Sequence, residues 1–149
     1  MIRWVHPIAG MAAGALIVGF QAATIRAELS GSLAEIRAVK EGVLYALPVL
    51  AICLMTVGGS GRALAGPRPK GVAQRKRDRM KLIAANGLIV LVPAAVFLHW
   101  RAQTVGVDAV FQAVQAVEIV AGLTNLVLIG RSARDGLRLS GRLRRRPSR

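Results

Sequence analysis

A carboxylate within an apolar stretch near the C-terminal end of the sequence is the first candidate for chemistry. Gln115, Glu118, Gly122 and Asn125 follow one another at steps of three, four and three residues, which places them on one face of an α-helix. An ionised side chain at the bilayer centre costs ~2.5 to 3.5 kcal/mol on insertion scales and therefore normally faces protein, water or a partner. We predict no Lys or Arg at the depth of Glu118, so this carboxyl is expected to be protonated.

Two further polar residues are predicted to join this face as a polar seam within the membrane. Asn86, in the preceding apolar stretch, lies at a depth similar to that of Asn125, so the two amides are expected to pair. Tyr45 is the hydroxyl predicted to reach towards Glu118. The seam either holds helices together, an effect of ~0.6 kcal/mol per hydrogen bond on average, or contains a proton-coupled transport site at Glu118.

Small multidrug transporters also combine four spans with a membrane-embedded Glu, and they illustrate the transport alternative. Their Glu lies in the first span beside aromatic residues, whereas Glu118 lies in the last apolar stretch of a chain with 4% aromatic residues. Because a cage for organic cations needs aromatic faces, the resemblance does not extend to a cation site.

The histidines raise a second alternative, a subunit that binds b-type haem or associates with quinone. His6 and His99 are expected near opposite faces of the membrane, which argues against a bis-histidine site. His6 with Met55 or Met80 is the remaining combination, and an interfacial His also commonly anchors a helix end. The sequence offers no nucleophilic triad, paired carboxylates or metal-spaced His and Cys, so we predict neither an enzyme nor a resident metal or cofactor.

The helices that position these residues are predicted from four intervals of the sequence that contain few charged residues. Residues 4–25, 42–61, 82–100 and 109–130 each approach the ~20 residues needed to cross a bilayer as a helix. Mean hydropathy is +0.49 despite a net charge of +14, a combination typical of a membrane protein with its cations outside the spans. The sequence predicts an all-α membrane protein: one domain over residues 1–149, an up-down bundle of four transmembrane helices.

Two basic segments set the predicted orientation and the predicted partners. The loop 62–81 and the tail 131–149 are rich in Lys and Arg, so both should be cytoplasmic and both termini inside. Such segments attract anionic headgroups or an acidic partner, and no aromatic residues interleave with them as in nucleic-acid sites. The residues assigned to this contact are Arg75, Lys76, Arg77, Arg79, Arg144, Arg145 and Arg146.

The N-terminal part of the chain leaves two alternatives open. Residues 4–25 could also be an h-region of a signal peptide, although they are long for one and the small-residue cleavage site is poor. Between the first two spans, Ser32 and Glu35 have capping-box spacing, which predicts either a short interfacial turn of helix or an irregular loop.

Several phrases together resemble a group of small bacterial inner-membrane proteins with four spans. These phrases are the initial His6-Pro7, the run from Arg79 to Gly87, and the pattern that joins Gln115, Glu118 and Asn125. The resemblance implies the architecture and no activity. We therefore predict a non-catalytic accessory or assembly subunit of a bacterial inner-membrane complex, in contact with lipid and with another membrane protein or a second copy of itself.

Overall fold

The computed structural model describes residues 2–65 and 71–139, and these residues are almost entirely helical. Helix α1 spans Ile2–Ser30, α2 spans Leu33–Ala65, α3 spans Val72–Asn86, a π-helical segment spans Gly87–Leu91, α4 spans Val92–Thr104 and α5 spans Ala109–Leu139. Because α3, the π-helical segment and α4 are continuous, the described residues contain four helical rods, each long and apolar enough to cross a membrane. The predicted all-helical architecture, with four helices long and apolar enough to span a membrane, is confirmed.

Helices α1 and α2 are joined by a tighter connection than the sequence predicted. The interval between the predicted spans, residues 26–41, is mostly helix, and only Gly31 and Ser32 separate α1 from α2. Gly31 has a φ of 66°, a value that glycine adopts without strain. One half of the predicted capping box is present, since the backbone N–H of Glu35 donates to Ser32 Oγ at 3.4 Å. The charges of residues 26–41 do not end the helices, because polar residues are compatible with helix and the chain reverses only at glycine.

The third rod changes its helical geometry near its middle. The π-helical segment begins directly after Asn86, and the Val92 N–H bonds to the Gly87 carbonyl five residues earlier. Pro93 follows at the start of α4. Because proline lacks an N–H, it cannot donate a helical hydrogen bond, so the π-helical segment lies next to a position where the helical hydrogen bonding is already interrupted. π-bulges of this kind are frequent at functional sites.

The turn between α4 and α5 is built around Asp108. Its Oδ1 accepts the backbone N–H of Phe111 at 2.9 Å, which satisfies one of the free donors at the start of α5. The carboxylate also pairs with Arg101 of α4, and Gly106 with a φ of 100° allows the chain to reverse. Asp108 lies between the membrane-spanning segments, and its bonds to Arg101 and to the Phe111 N–H hold its pKa well below the ordinary value.

Contacts along the rods define two ends of the bundle. At the turn end, which holds both short connections, Ala27, Ile36, Leu98, Ala102 and Phe111 form one apolar cluster. A second cluster of Ala13, Ile17 and Leu50 lies further along α1 and α2. The opposite end, here the basic end, brings His6 of α1 to Ser60 of α2 and Arg79 of α3 to Asp135 of α5.

The surface along the rods is apolar on every helix. Large exposed side chains include Met11, Ile52, Leu88 and Val120. A soluble protein rarely exposes so much contiguous apolar surface, whereas lipid solvates it. The buried residues, including the buried polar ones, therefore lie between the rods.

Candidate functional site in the bundle interior

Glu118 is paired with a lysine in the interior of the bundle. Lys40 Nζ lies 2.6 Å from Glu118 Oε2, and the two side chains are only 2% and 12% exposed. The prediction that no cation reaches the depth of Glu118 is therefore wrong. Since α2 already begins at Leu33, Lys40 lies ~10 Å along α2, and Glu118 lies ~13 Å along α5 from its own first residue at the turn end.

Lys40 lies on the buried face of α2, and the spacing of apolar residues in the sequence already indicated this position. Ile36, Val43, Leu50 and Val57 are buried at steps of seven residues, and Lys40 lies four residues after Ile36 on the same face. Assigning residue 40 to a loop concealed this pattern. A lysine on an otherwise apolar helical face inside a membrane protein needs an anionic partner, and Glu118 is that partner.

Gln115 completes the environment of the carboxylate. Its Nε2 donates to the same Glu118 oxygen, Oε2, at 2.9 Å. The other polar atom of the amide, Gln115 Oε1, is buried with no hydrogen-bond partner among the described residues. Tyr45, predicted to reach this carboxyl, is 73% exposed instead, because it lies on the outer face of α2, away from the Lys40 face.

Gln21 attaches α1 to α5 beside this pair. Its Nε2 donates to the Ile119 carbonyl at 3.0 Å, an acceptor that becomes reachable because Gly122 has no side chain. A Cβ at Gly122 would lie 1.8 Å from Gln21 Nε2. The sequence pattern predicted Gly122 on the polar face of α5 but did not predict its contact with Gln21. That contact depends on how α1 packs against α5, which the spacing of residues along either helix does not indicate.

The predicted pair of Asn86 and Asn125 is present. Asn86 Nδ2 donates to Asn125 Oδ1 and to the Ala121 carbonyl, both at 2.9 Å. Asn125 Nδ2 in turn reaches the Ile83 carbonyl at 3.5 Å, and Asn125 is 1% exposed. The two amides thus fasten the third rod to α5 without any ionised group.

A small cavity of about 50 Å³ borders Glu118. Glu118, Gln21 and Thr24 provide its polar lining, and apolar side chains such as Ile17 and Leu47 provide the rest. About 10 to 15 Å³ suffices for one water molecule, so the space accommodates a few waters next to the carboxylate. The cavity is too small for a drug-sized ligand.

The basic end contains a directed chain of hydrogen bonds around His6. Lys76 Nζ lies 3.2 Å from His6 Nε2, and His6 Nδ1 lies 2.9 Å from Ser60 Oγ. Ser60 Oγ in turn donates to the Thr56 carbonyl at 2.5 Å. With the hydroxyl hydrogen used there, His6 donates to Ser60 through Nδ1 and accepts from Lys76 through Nε2. Both ring nitrogens are engaged within the protein, so this arrangement does not offer His6 as a haem ligand.

The cations predicted to contact lipid or a partner divide into two groups. Lys76 and Arg79 turn inward, to His6 and Asp135 respectively. Arg75 is exposed and Arg77 is half-buried, so these two remain candidates for an external contact. Arg144, Arg145 and Arg146 lie outside the described residues.

Comparisons with known proteins returned no match from family models, curated proteins or solved structures. The resemblance to small four-span inner-membrane proteins therefore stays a prediction. Within residues 2–65 and 71–139, no group of three or more His, Cys, Asp or Glu is arranged to hold a metal ion.

Proposed function

We propose that the protein is a non-catalytic accessory or assembly subunit of a bacterial inner-membrane complex. The observation that carries this proposal is the use of the buried polar side chains. Lys40 and Gln115 both donate to Glu118, Asn86 donates to Asn125, and Gln21 donates to a backbone carbonyl. Each set joins two of the four rods, so the seam fastens the protein's own helices. Such a scaffold presents a fixed outer surface to a partner.

The partner contact is proposed at the basic end. Arg62, Arg75, Arg77, Lys81, Arg131 and Arg134 are basic residues of this end, against Asp78 and the paired Asp135. The turn end, in contrast, balances Arg26, Arg37 and Arg101 with Glu35, Glu41 and Asp108. The positive-inside rule then favours a cytoplasmic location for the basic end and for both termini. Anionic headgroups and an acidic segment of a neighbouring subunit are the chemistry that fits this surface.

Purification from the native membrane tests the proposal. The full chain, tagged and expressed at native level, is extracted in mild detergent, and the chains that accompany it are quantified by mass spectrometry. A partner recovered at fixed stoichiometry is expected. Changing the exposed Arg75 to Gln should reduce recovery at moderate salt, whereas changing the exposed Arg26 at the turn end to Gln should not. A chain that always purifies as a homodimer without a partner would contradict the proposal.

A second candidate function, proton-coupled transport, rests on the cavity beside Glu118. A carboxylate that borders a space for a few waters is an arrangement that could exchange protons. In liposomes, a transporter would release or take up substrate in response to a pH gradient, and Glu118→Gln would abolish this response because glutamine does not titrate. An accessory subunit shows no response to the gradient in either form.

A further inference from the structure

A contact between two basic side chains joins the hairpin of α1 and α2 to α3 at the basic end. Nearer the turn end, hydrogen bonds of Gln21, Arg37 and Lys40 connect this hairpin to the other rods. At the basic end, Lys76 Nζ of α3 lies 3.2 Å from His6 Nε2 of α1. The Cα atoms of α1 and α3 lie more than 8 Å apart throughout the described residues. The long Lys76 side chain therefore joins helices whose backbones are not closely packed.

The His6 ring is held against α2, and this fixes which nitrogen reaches α3. Its Nδ1 lies 2.9 Å from Ser60 Oγ, and the Ser60 hydroxyl donates its own hydrogen to a backbone carbonyl of α2. Nδ1 is therefore the nitrogen that carries the ring hydrogen. A Cβ at Gly61 would lie 3.2 Å from His6 Cε1, so the ring lies close to the α2 backbone. In a neutral imidazole, Nε2 is then an acceptor, and it faces Lys76.

The contact between His6 and Lys76 requires a neutral imidazole. The lysine ammonium has three donors and no acceptor, so it can bond only to an Nε2 that carries no hydrogen. A protonated ring would present a second donor and a second positive charge, and like charges at this distance repel. The protonated ring keeps its bond from Nδ1 to Ser60 Oγ. The released ammonium stays beside α5, because Lys76 Nζ lies 3.3 Å from the position of a Cβ at Gly136.

The other charged groups at the basic end do not pair with His6. Asp135 of α5 pairs with Arg79 of α3, and the exposed Asp78 forms its contacts within α3. Arg62 of α2 is exposed and adds a further positive charge. Among the described residues, no ion pair joins His6 to a carboxylate. Repulsion from Lys76 is therefore not offset by a direct anionic partner of the ring.

We propose that His6 and Lys76 form a pH-sensitive latch, which holds the hairpin of α1 and α2 to α3 when His6 is neutral and releases it when His6 is protonated. The proton comes from water at the basic end, where His6 is half-buried. Because histidine ordinarily changes its charge between about pH 5 and 8, the latch responds to the compartment that the basic end faces. This inference goes beyond the proposed accessory role and does not depend on it.

Pulsed electron paramagnetic resonance on the full chain in liposomes tests the latch as a distance between α1 and α3. Spin labels are attached at two exposed positions, through Ile8→Cys on α1 and Arg75→Cys on α3, in a Cys53→Ser background. The labelled protein is measured from about pH 8 to about pH 5. We expect a short, narrow distance distribution at the upper pH and a longer, broader one at the lower pH.

Three further substitutions in the labelled protein separate the latch from a general effect of acid. His6→Gln keeps an acceptor for Lys76 and does not titrate, so the short distance is expected at every pH. Lys76→Met removes the donor, so the long distance is expected at every pH. His99→Gln removes the histidine of α4 near the turn end and should leave the pH response unchanged.

Four results would overturn the proposal. The first is a distance in the labelled protein that is the same at both ends of the pH range, a result that needs none of these three substitutions. The second is a pH response that persists in a folded His6→Gln protein. The third is a folded Lys76→Met protein that keeps the short distance at the upper pH. The fourth is a response lost in a folded His99→Gln protein, which would assign it to the other histidine.

Discussion

The Lys40–Glu118 pair and the Asn86–Asn125 pair both fasten α5 to another helix, yet they differ in chemistry. The first joins two opposite charges at 2.6 Å, and the second joins two neutral amides at 2.9 Å. Removing one member of the charged pair leaves an ionised group in a low-dielectric interior. Removing one member of the amide pair leaves a neutral amide that still has a backbone carbonyl. We therefore expect the charged contact to specify the arrangement of α2 and α5 far more strictly.

The largest expected effect is that of Lys40→Met, which removes the cation and leaves Glu118 buried without it. Breaking a buried pair in this way typically costs ~3 to 5 kcal/mol, so unfolding in a mixed detergent should occur at much lower denaturant concentration. Adding Glu118→Leu in the same protein should restore part of the loss, because two apolar groups need no partner, whereas the buried Gln115 amide loses its acceptor. Arg26→Met, an exposed cation of α1, is the control. If Lys40→Met were as mild as that control, the charged contact would not be the stricter one.

The amide contact should respond more weakly. Asn125→Leu removes the bond to Asn86, while Asn86 keeps the Ala121 carbonyl as an acceptor. Interhelical hydrogen bonds in membranes contribute ~0.6 kcal/mol on average and up to ~1.7, so a loss in this range is expected from the same unfolding measurement. Thr124→Val is a matched control, because among the described residues the Thr124 hydroxyl bonds only to the Val120 carbonyl of its own helix. A loss equal to that of Lys40→Met would remove the distinction between the two contacts.

Gly122→Ala tests the neutral contact that lies next to the charged one. The new methyl group would displace the Gln21 amide, which is flexible and can turn away at the cost of its hydrogen bond, about 1 kcal/mol. The cost should therefore disappear when Gln21→Ala is already present. Gly130→Ala is the control, since a Cβ there would meet no side chain of the described residues within 4 Å. A cost that persists without the Gln21 side chain would point to a backbone clash.

The smallest effect is expected from the half-buried pair of Arg101 and Asp108 at the turn end. Arg101 and the Phe111 N–H lower the pKa of Asp108 below its ordinary value of 3.8. A lowered pKa in the folded state means that the contribution to stability is fully present above pH 3.8 and is lost as the pH falls through the folded value. The difference in thermal midpoint between the wild type and Asp108→Asn should be constant from pH 7 to 5 and should shrink only in stronger acid. A difference that grows on acidification would contradict this assignment.

The sequence predicted the Asn86–Asn125 contact but not the Lys40–Glu118 contact, and the reason lies in where the charged residues are. Asn86 and Asn125 lie within charge-poor intervals and a similar number of residues from one end of each, so counting residues from the membrane edge was enough to pair them. Lys40 lies among charges that appeared to belong to a loop, and only the observed start of α2 at Leu33 brings it into the interior. The depth of a residue in the membrane depends on where its helix begins, and the positions of the charged residues alone did not indicate where α2 begins.

The direction in which a side chain points from its helix was not predicted correctly for every residue. Tyr45 was assigned by its depth, but it is 73% exposed because its position on α2 turns it away from α5. Gln21 bonds to a carbonyl made accessible by a glycine on another helix, a relation that depends on the packing of α1 against α5. To predict the contacts of these residues, the rotation of each helix about its axis must be known as well as the depth of the residue in the membrane.

We propose that the buried polar seam fastens the protein's own helices and that a partner would bind elsewhere on the surface. The most direct test compares the wild type with the double variant Lys40→Met, Glu118→Leu, each purified from the native membrane, with the accompanying chains quantified by mass spectrometry. We predict the same partner at the same stoichiometry from both proteins, because apolar side chains can replace an internal ion pair. Loss of the partner from a double variant that unfolds at the same temperature as the wild type would contradict the claim.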